Sequence, residues 1–159
     1  GPYSSVWYGA ILRADFGSIR IGEASNVQEH VLIHMSRGTS VTIGDRVSVG
    51  HGAKLHGCRI ENDCIIGMGA LIMNNVVIGH NSIVAAGTTV HKGVFPPNSL
   101  IVAGKVVRET TQSDWEKIRN NANEYRDLVL RTLPALALGR STPFQSSVRT
   151  GEFAAAVAA

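Results

Sequence analysis

The sequence predicts an all-β fold in which the chain winds as a parallel β-helix, and three patterns support this prediction. Aliphatic residues recur at every sixth position along most of the chain, small residues follow four positions later, and a glycine often follows the aliphatic residue directly. A period of six fits neither a helix nor an alternating strand. It is typical of a coil whose short sides cannot bury their apolar faces without neighbours. The most regular run is Ile60, Ile66, Ile72, Ile78, Val84 and Val90.

The same template fits the upstream segments, so we expect the β-helix to occupy residues 1–107. With three sides of six residues each, this length corresponds to about six turns. Glycines that follow inward residues, as in Ile21-Gly22 and Ile66-Gly67, are expected at tight corners where a side chain would restrict the backbone. A β-sandwich of many short strands is the alternative, but its strands would alternate at period two. The repeat alone does not define the handedness.

The repeat ends near a Pro-Pro turn at 95–98, after which one further side of the coil is expected at 100–107. Residues 108–133 are predicted to form an amphipathic helix that begins with capping residues at 111–114. Residues 134–159, which turn to Ser, Gly and Ala, are expected to be mobile or to dock on a partner. The expected apolar positions of the helix are Trp115, Ile118, Ala122, Tyr125, Leu128 and Val129.

Composition limits the classes of function. The chain has 159 residues and 44% hydrophobic content, which is enough for one domain with a core. Its formal charge of +3 is too small and scattered to indicate nucleic-acid binding, and no stretch reaches the length of a membrane span. Cys58 and Cys64 are expected to be buried thiols, so nothing requires an oxidising compartment. We therefore expect a cytoplasmic location first.

Three histidines within the repeat predict a metal site. His34 and His56 each follow an inward aliphatic residue, and they are 22 residues apart, which is one turn of about 18 residues plus four. A protruding loop at 35–40 would absorb the surplus, so the two rings can stack and share a metal. His51 lies on the preceding side and points elsewhere, so an adjacent subunit would supply it. This arrangement predicts a homotrimer with metals between protomers, although three solvated surface histidines remain the alternative.

An ordered set of motifs from about Ser4 to about Leu130 resembles the γ-class carbonic anhydrases. The resemblance implies a left-handed parallel β-helix trimer with a C-terminal helix, and a zinc or iron ion at each subunit interface. It also implies that His34 and His56 come from one subunit and His51 from its neighbour. The motifs that carry it are Arg13-Ala14-Asp15, Ile21-Gly22, Asn26-Val27-Gln28-Glu29, Ile33-His34, Ile43-Gly44, Val49-Gly50-His51, Leu55-His56-Gly57-Cys58 and Gly67-Met68-Gly69-Ala70.

The resemblance assigns further residues to the site. It implies that Gln28 orients the metal-bound nucleophile, that Asn26 lines the substrate pocket and that Tyr125 reaches the pocket from the helix. For Tyr125, a packing role is the equal alternative. The family uses three imidazoles to leave zinc an open position, where a bound water becomes nucleophilic near neutral pH and attacks carbon dioxide.

Arg13 is implied to be a structural residue that also faces bicarbonate. The resemblance pairs it with Asp15 in its own chain and with Glu29 across the interface. A guanidinium buried at a subunit contact needs a carboxylate partner, and its fork geometry suits one better than lysine would. The alternative is that Arg13, Asp15 and Glu29 form an ion network that stabilises the trimer without catalytic work.

Two departures from the family pattern concern proton transfer. The family's founding type has a glutamate after the aspartate of the Arg-x-Asp motif and an acidic loop after the first metal histidine. This sequence has Phe16 and a loop at 35–40 without a carboxylate. Proton release is then expected to use another group, such as His30, or the buffer directly.

Three functions are open at this point. The first is a zinc-dependent carbonic anhydrase acting on carbon dioxide and bicarbonate. The second is a weakly active or inactive structural subunit of the mitochondrial NADH dehydrogenase complex, in a heterotrimer with related chains on the matrix side of the inner membrane. The third is a hexapeptide acyltransferase with the same fold. Because the chain starts with Gly1 in mid-pattern and the family usually has a further coil upstream, we also expect a missing N-terminal piece, with a targeting sequence as one option.

Overall fold

The structure is a computed structural model that describes residues 1–132, so the expectation for residues 134–159 lies outside it. The described chain contains many very short strands followed by one long helix. The strands, in chain order, are β1 (Ser5–Val6), β2 (Ile11–Leu12), β3 (Ile19–Ile21), β4 (Asn26–Val27), β5 (Leu32–His34), β6 (Val41–Ile43), β7 (Ser48–Val49), β8 (Lys54–His56), β9 (Arg59–Ile60), β10 (Ile65–Ile66), β11 (Leu71–Ile72), β12 (Val77–Ile78), β13 (Ile83–Val84), β14 (Thr89–Val90), β15 (Val94–Phe95), β16 (Ser99–Val102) and β17 (Lys105–Glu109).

Each strand from β1 to β13 pairs with the strand that comes three strands later in the chain, which confirms the parallel β-helix. The first sheet has the order β1-β4-β7-β10-β13-β16-β17, the second β14-β11-β8-β5-β2 and the third β15-β12-β9-β6-β3. All neighbours are parallel except the last pair, β16 and β17. Each turn of the coil therefore contributes one strand to each sheet, and the corners connect the sheets.

The solenoid has about five turns, so the expectation of six is wrong. Two segments depart from the six-residue rhythm because they protrude as loops, at 13–18 and at 35–40. The expected final side at 100–107 is also not a single side. The chain reverses after Val102, and β17 returns antiparallel along the edge of the first sheet.

In-register stacking builds the core. Ile66 pairs with Val49 in the turn before it and with Val84 in the turn after it, and the other inward positions repeat this pattern. Burying each aliphatic side chain contributes roughly 1.5–3 kcal/mol relative to its exposure. At the corner after Ile66, a Cβ on Gly67 would collide with the backbone nitrogen of Ala86, so the next turn approaches too closely for any side chain. The bulkiest inward residues that are almost fully buried are Ile33, Ile43, Leu55, Ile60, Ile66, Ile72, Ile78 and Ile101.

The two cysteines lie inside this core, as expected. Cys58 and Cys64 are both free and buried. Desolvation raises the pKa of each thiol to about 12, which keeps it protonated and unreactive near neutral pH. They therefore act as small apolar residues within the stack.

The helix α1 (Gln112–Thr132) packs along the first sheet against β1, β4 and β7. Ile118, Ala122 and Val129 form its buried stripe, as the sequence predicts. Leu128 was expected in the same stripe, but it is 41% exposed. The buried stripe runs through residues 118, 122 and 129, and Leu128 lies on the flank of the helix beside it. No helix within residues 1–132 is long and apolar enough to cross a membrane.

The start of α1 is fixed by a reciprocal cap. The backbone N–H and the hydroxyl of Thr111 both donate to Oδ2 of Asp114, at 2.9 Å each, and Arg108 donates to the same oxygen at 2.7 Å. The Asp114 side chain is only 7% exposed. The hydrogen bond from Arg108 and that from the Thr111 backbone hold the pKa of the Asp114 carboxyl well below its usual range.

Replacing this carboxylate should loosen the start of the helix. We expect Asp114→Asn to lower the free energy of unfolding by about 1 kcal/mol at pH 7, the usual size of a lost N-terminal cap. A depressed pKa means that the carboxylate stabilises the fold above its ordinary pKa and loses that contribution as the pH falls. The difference from wild type should therefore shrink below pH ~4. Urea unfolding followed by circular dichroism at several pH values measures it.

The control is Glu116→Gln, which removes an exposed carboxylate from the same helix and affects only a 3.3 Å contact with Gln112. It should change stability by no more than a few tenths of a kcal/mol. Equal losses in the two variants would contradict the capping role of Asp114.

Candidate metal centre

The solenoid stacks His34 directly on His56. They end β5 and β8 and are cross-strand partners in the register of the second sheet. Their ring centroids are 5.1 Å apart, and Nδ1 of His34 lies 3.2 Å from Nε2 of His56. The surplus residues between them form the protruding loop, in which the backbone N–H of Thr39 donates to the carbonyl of Ser36. The register thus brings together the two histidines that the sequence places at equivalent positions.

Asp15 and Arg13 surround the outer nitrogen of His34. Oδ1 of Asp15 and Nη2 of Arg13 each lie 2.8 Å from Nε2 of His34, and Nε of Arg13 lies 3.5 Å from Oδ2 of Asp15. Desolvation raises the pKa of the Asp15 carboxyl, but the hydrogen bond from His34 and the charge of Arg13 outweigh it, so the pKa is lowered. When Nε2–H of His34 donates to Asp15, the lone pair on Nδ1 faces His56.

Phe16 covers the other side of His34. Its ring centroid lies 5.9 Å from that of His34, and the guanidinium of Arg37 lies 4.8 Å from the centre of the Phe16 ring. Arg37 belongs to the protruding loop, so loop and ring form a cation–π contact over the histidine. The position at which the family's founding type has a glutamate is therefore an apolar wall here.

Asn26 and Gln28 form a buried ladder of amides in the first sheet. They are 1% and 5% exposed. Nε2 of Gln28 donates to Oδ1 of Asn26 at 3.0 Å, and Nδ2 of Asn26 donates to Oγ of Ser48 at 2.9 Å. These bonds fix the orientation of both amides. Ser48 was not singled out from the sequence, although its position one turn after Asn26 is the signal that could have identified it.

His51 does not join the other two histidines within one chain. It follows β7 at the corner between the first and second sheets, and its side chain is 48% exposed. Nδ1 of His51 lies 2.7 Å from Oε2 of Glu29. The contact lacks hydrogen-bond geometry, so this buried oxygen has no hydrogen-bond donor among residues 1–132. Within those residues, no group of three or more His, Cys, Asp or Glu side chains of a single chain is arranged to hold a metal ion.

Tyr125 lies on the same side as His51 rather than beside the His34 pair. Its ring packs edge-on against Trp7, with centroids 5.5 Å apart. Desolvation, together with the negative charges of Glu29 and Glu124, raises the pKa of the Tyr125 hydroxyl. Trp7, which the sequence reading missed, donates its indole N–H to Ser5 and thereby anchors this wall.

The donor set fits a zinc ion in part. Two nitrogens that each lie 2.0–2.1 Å from a tetrahedral zinc are ~3.3 Å apart, and the observed separation between His34 and His56 is 3.2 Å. Imidazole is a suitable ligand for zinc and for iron. One chain supplies two such nitrogens at one position and a third, on His51, at a different corner.

Comparisons with known proteins identify the family. Residues 57–92 match the family model described as bacterial transferase hexapeptide (six repeats). The "Probable carbonic anhydrase" of Methanocaldococcus jannaschii is 48% identical over 128 residues, which cover 79% of this chain and 80% of that protein. Gamma carbonic anhydrase 2, mitochondrial, from Arabidopsis thaliana is 36% identical over 80% of this chain. The chain belongs to the γ-class carbonic anhydrase family of hexapeptide-repeat proteins.

Other relatives carry different names. Carnitine operon protein CaiE of Escherichia coli (strain K12) is 36% identical over 77% of this chain. The crystal structure of a hexapeptide transferase family protein from Anaplasma phagocytophilum superposes with a TM-score of 0.77 at 30% identity, and covers 82% of this chain and 79% of that one. The chain spans 64% of CaiE and about half, 49%, of the Arabidopsis protein.

Gly57 is the point where the backbone makes room beside His56, and this can be tested. Its φ is +57°. A Cβ at this position would collide with Oδ1 of Asn74 and would lie only 2.7 Å from Oγ1 of Thr39. We expect Gly57→Ala to lower the free energy of unfolding by ~1–2 kcal/mol for the left-handed backbone, plus a further cost for the clash. It should also move the NMR signals of the His56 ring.

Gly87→Ala is the matched control, because Gly87 has a φ of +66° and open space around its missing Cβ. It should show only the backbone cost and leave the His56 signals unchanged. The same loss of stability in both variants, with no change at His56, would contradict the crowding at Gly57.

Proposed function

We propose that the protein is a zinc-dependent carbonic anhydrase, which hydrates carbon dioxide reversibly at metal centres between the subunits of a homotrimer. One observation carries the proposal: the register stacks His34 on His56 with facing nitrogens 3.2 Å apart, while His51 lies on another corner. Relatives that are named carbonic anhydrases support the same activity. Iron remains an alternative metal, since imidazole ligands suit both ions.

The split of the histidines supports the trimer. His51 lies before β8 and His56 ends it, so the two corners flank the same side of the coil. In a closed cyclic assembly, the His51 corner of each protomer meets the His34–His56 corner of the next, and three equivalent sites result. Ile11 and Leu32 are paired on the outer face of this sheet and are 58% and 38% exposed, which suits a surface that a neighbour covers.

Charge complementarity supports the same interface. The buried Oε2 of Glu29 has no hydrogen-bond donor among residues 1–132, and the Arg13 side chain is 61% exposed. A buried carboxylate oxygen without a donor is costly. A neighbour's guanidinium at this position would satisfy it, in accordance with the cross-interface pair that the family resemblance implies.

Zinc held by His34, His56 and a neighbour's His51 would supply a Lewis acid that makes water nucleophilic near neutral pH. The residues around it would prepare the reaction between carbon dioxide and water, which yields bicarbonate and a proton. The amide of Gln28, held by Asn26, would orient the nucleophile, and the Asn26 amide would line the substrate pocket.

Arg13 would face the bicarbonate product, because its charge suits an anion and Asp15 orients it from one side. Tyr125 would close the pocket from the side that also carries Trp7 and the His51 of its own chain.

Proton release would take a different route from the family's founding type. Phe16 and the loop at 35–40 offer no carboxylate. His30 is exposed at the corner beside Glu29, in a left-handed conformation with φ +61° and its ring over Gly9. We propose His30 or the buffer as the acceptor.

Two alternatives have observations in their favour. The 36% identity with an Arabidopsis protein named as mitochondrial favours a mitochondrial location. The alternative of a structural subunit of the NADH dehydrogenase complex, in a heterotrimer on the matrix side of the inner membrane, requires such a location. The apolar wall of Phe16 fits such a role, since it replaces a shuttle carboxylate. The match of residues 57–92 to a transferase family model favours an acyltransferase.

The activity is tested by stopped-flow hydration of carbon dioxide. The protein is loaded with zinc, or with iron under anaerobic conditions, in concentrated buffer that substitutes for a shuttle group. We expect turnover that is lost in His56→Ala and retained in His80→Ala, because His80 is exposed beside Glu61, away from the stacked histidines. Absence of turnover from a fully metallated wild-type trimer would refute the enzyme and favour the structural subunit.

The bridging role of His51 gives a separate prediction. His51→Ala should lose the metal and weaken the trimer, because the third ligand and the contact between subunits disappear together. Metal analysis and light scattering after size-exclusion chromatography measure both quantities, with His80→Ala as control. A trimer of His51→Ala that retains one metal ion per subunit would show that His51 is not a bridging ligand.

A further inference from the structure

We propose that Asn74 is a positioning residue that fixes the tautomer of His56, so that the lone pair on Nε2 faces His34. Asn74 follows β11 and lies one turn beyond Gly57 in the register of the second sheet. Its Oδ1 lies 2.8 Å from Nδ1 of His56. The consequence for metal binding rests on the proposed function, whereas the tautomer itself does not.

The orientation of the amide follows from its other contact. Nδ2 of Asn74 donates to Oγ of Ser36 at 3.2 Å, so the carbonyl oxygen of the amide faces His56. A carbonyl oxygen only accepts, and therefore Nδ1 of His56 must carry the proton. Neutral imidazole has one N–H, which leaves Nε2 with its lone pair directed at His34.

The backbone at Gly57 makes this contact possible. The Gly57 N–H donates to the carbonyl of His34, and its carbonyl accepts from the N–H of Asn75, so the turns before and after it hold this residue in place. A Cβ at Gly57 would collide with Oδ1 of Asn74. The glycine after the metal histidine therefore admits the amide to the imidazole.

The protruding loop supports the same contact. Ser36 belongs to the loop at 35–40, which is anchored by the fully buried Met35 and closed by two hydrogen bonds from Thr39 to the Ser36 carbonyl. The residues in excess of one regular turn thus bring Ser36 to Asn74, which is 38 positions away in the sequence. The loop acts on His56 through Asn74.

The tautomer of His56 decides what this ring presents to the stacked His34. Asn74 accepts the proton of Nδ1 on His56, so Nε2 of His56 directs its lone pair at Nδ1 of His34, 3.2 Å away. Nε2 of His34 lies 2.8 Å from both Oδ1 of Asp15 and Nη2 of Arg13, and the tautomer that donates to Asp15 leaves no proton between the two rings. In that tautomer the two facing nitrogens are both acceptors, an arrangement that favours a cation between them. Outer partners of metal-bound histidines typically account for 10–100-fold in metal affinity.

The experiment compares the wild-type chain with Asn74→Leu, Asn74→Asp and the control Asn62→Leu. Leucine removes the acceptor at similar volume, and aspartate retains it. The side-chain oxygen of Asn62 accepts the backbone N–H of Asp45 between turns, at a corner away from the stacked His34 and His56. Ring ¹⁵N shifts of His56 in metal-free protein at pH 8 report its tautomer, and competition with a chelator gives the zinc affinity.

We expect wild type and Asn74→Asp to hold the proton on Nδ1, and Asn74→Leu to lose this preference and bind zinc about 10–100-fold more weakly. Asn62→Leu should match wild type in both measurements. Circular dichroism checks the fold, and Asn74→Ala replaces the leucine variant if that one does not fold.

Two results would overturn the proposal: a wild-type His56 that carries its proton on Nε2, or unchanged zinc affinity after loss of the acceptor. The wild type could bind no zinc while Asn74→Leu still loses the Nδ1–H tautomer of His56. That result would refute the metal centre and leave the role of Asn74 intact.

Discussion

In-register pairing between successive turns is the constraint on which the rest of the structure depends. Each short strand bonds to its equivalents one turn before and after it, so a side chain at one position lies against the same position of the next turn. The core follows from this stacking because the inward aliphatics form continuous columns. The same rule places His34 on His56 and Asn26 on Ser48. Core and site are thus two outcomes of one register.

The regular part of the fold was predictable because a stacked coil requires the period of six in the sequence itself. The turn count was not, since the loops at 13–18 and 35–40 and the reversal into β17 do not follow that period. Leu128 shows a similar limit: helical spacing places it near the apolar stripe, but the angle at which α1 packs on the sheet decides its exposure.

For the site, the contacts that follow from the register could be predicted from the sequence, whereas contacts that depend on the detailed path of a corner or loop could not. The juxtaposition of His34 and His56 follows from counting residues. The contact of Asn74 with His56 depends on the glycine corner at 57 and on the loop that carries Ser36, neither of which has a periodic signature. A search for polar residues one turn after the glycine that follows His56 would have identified Asn74.

The separation of His51 from the stacked pair also has a thermodynamic consequence under the proposed function. A site completed by two protomers exists only in the assembled state, so zinc and subunit association are linked by mass action. Apparent zinc affinity then rises with protein concentration, and zinc in turn favours assembly by the same free energy. At low protein concentration, loss of metal and dissociation of the subunits would therefore occur together. The cellular concentration of the protein would then control the number of complete metal centres.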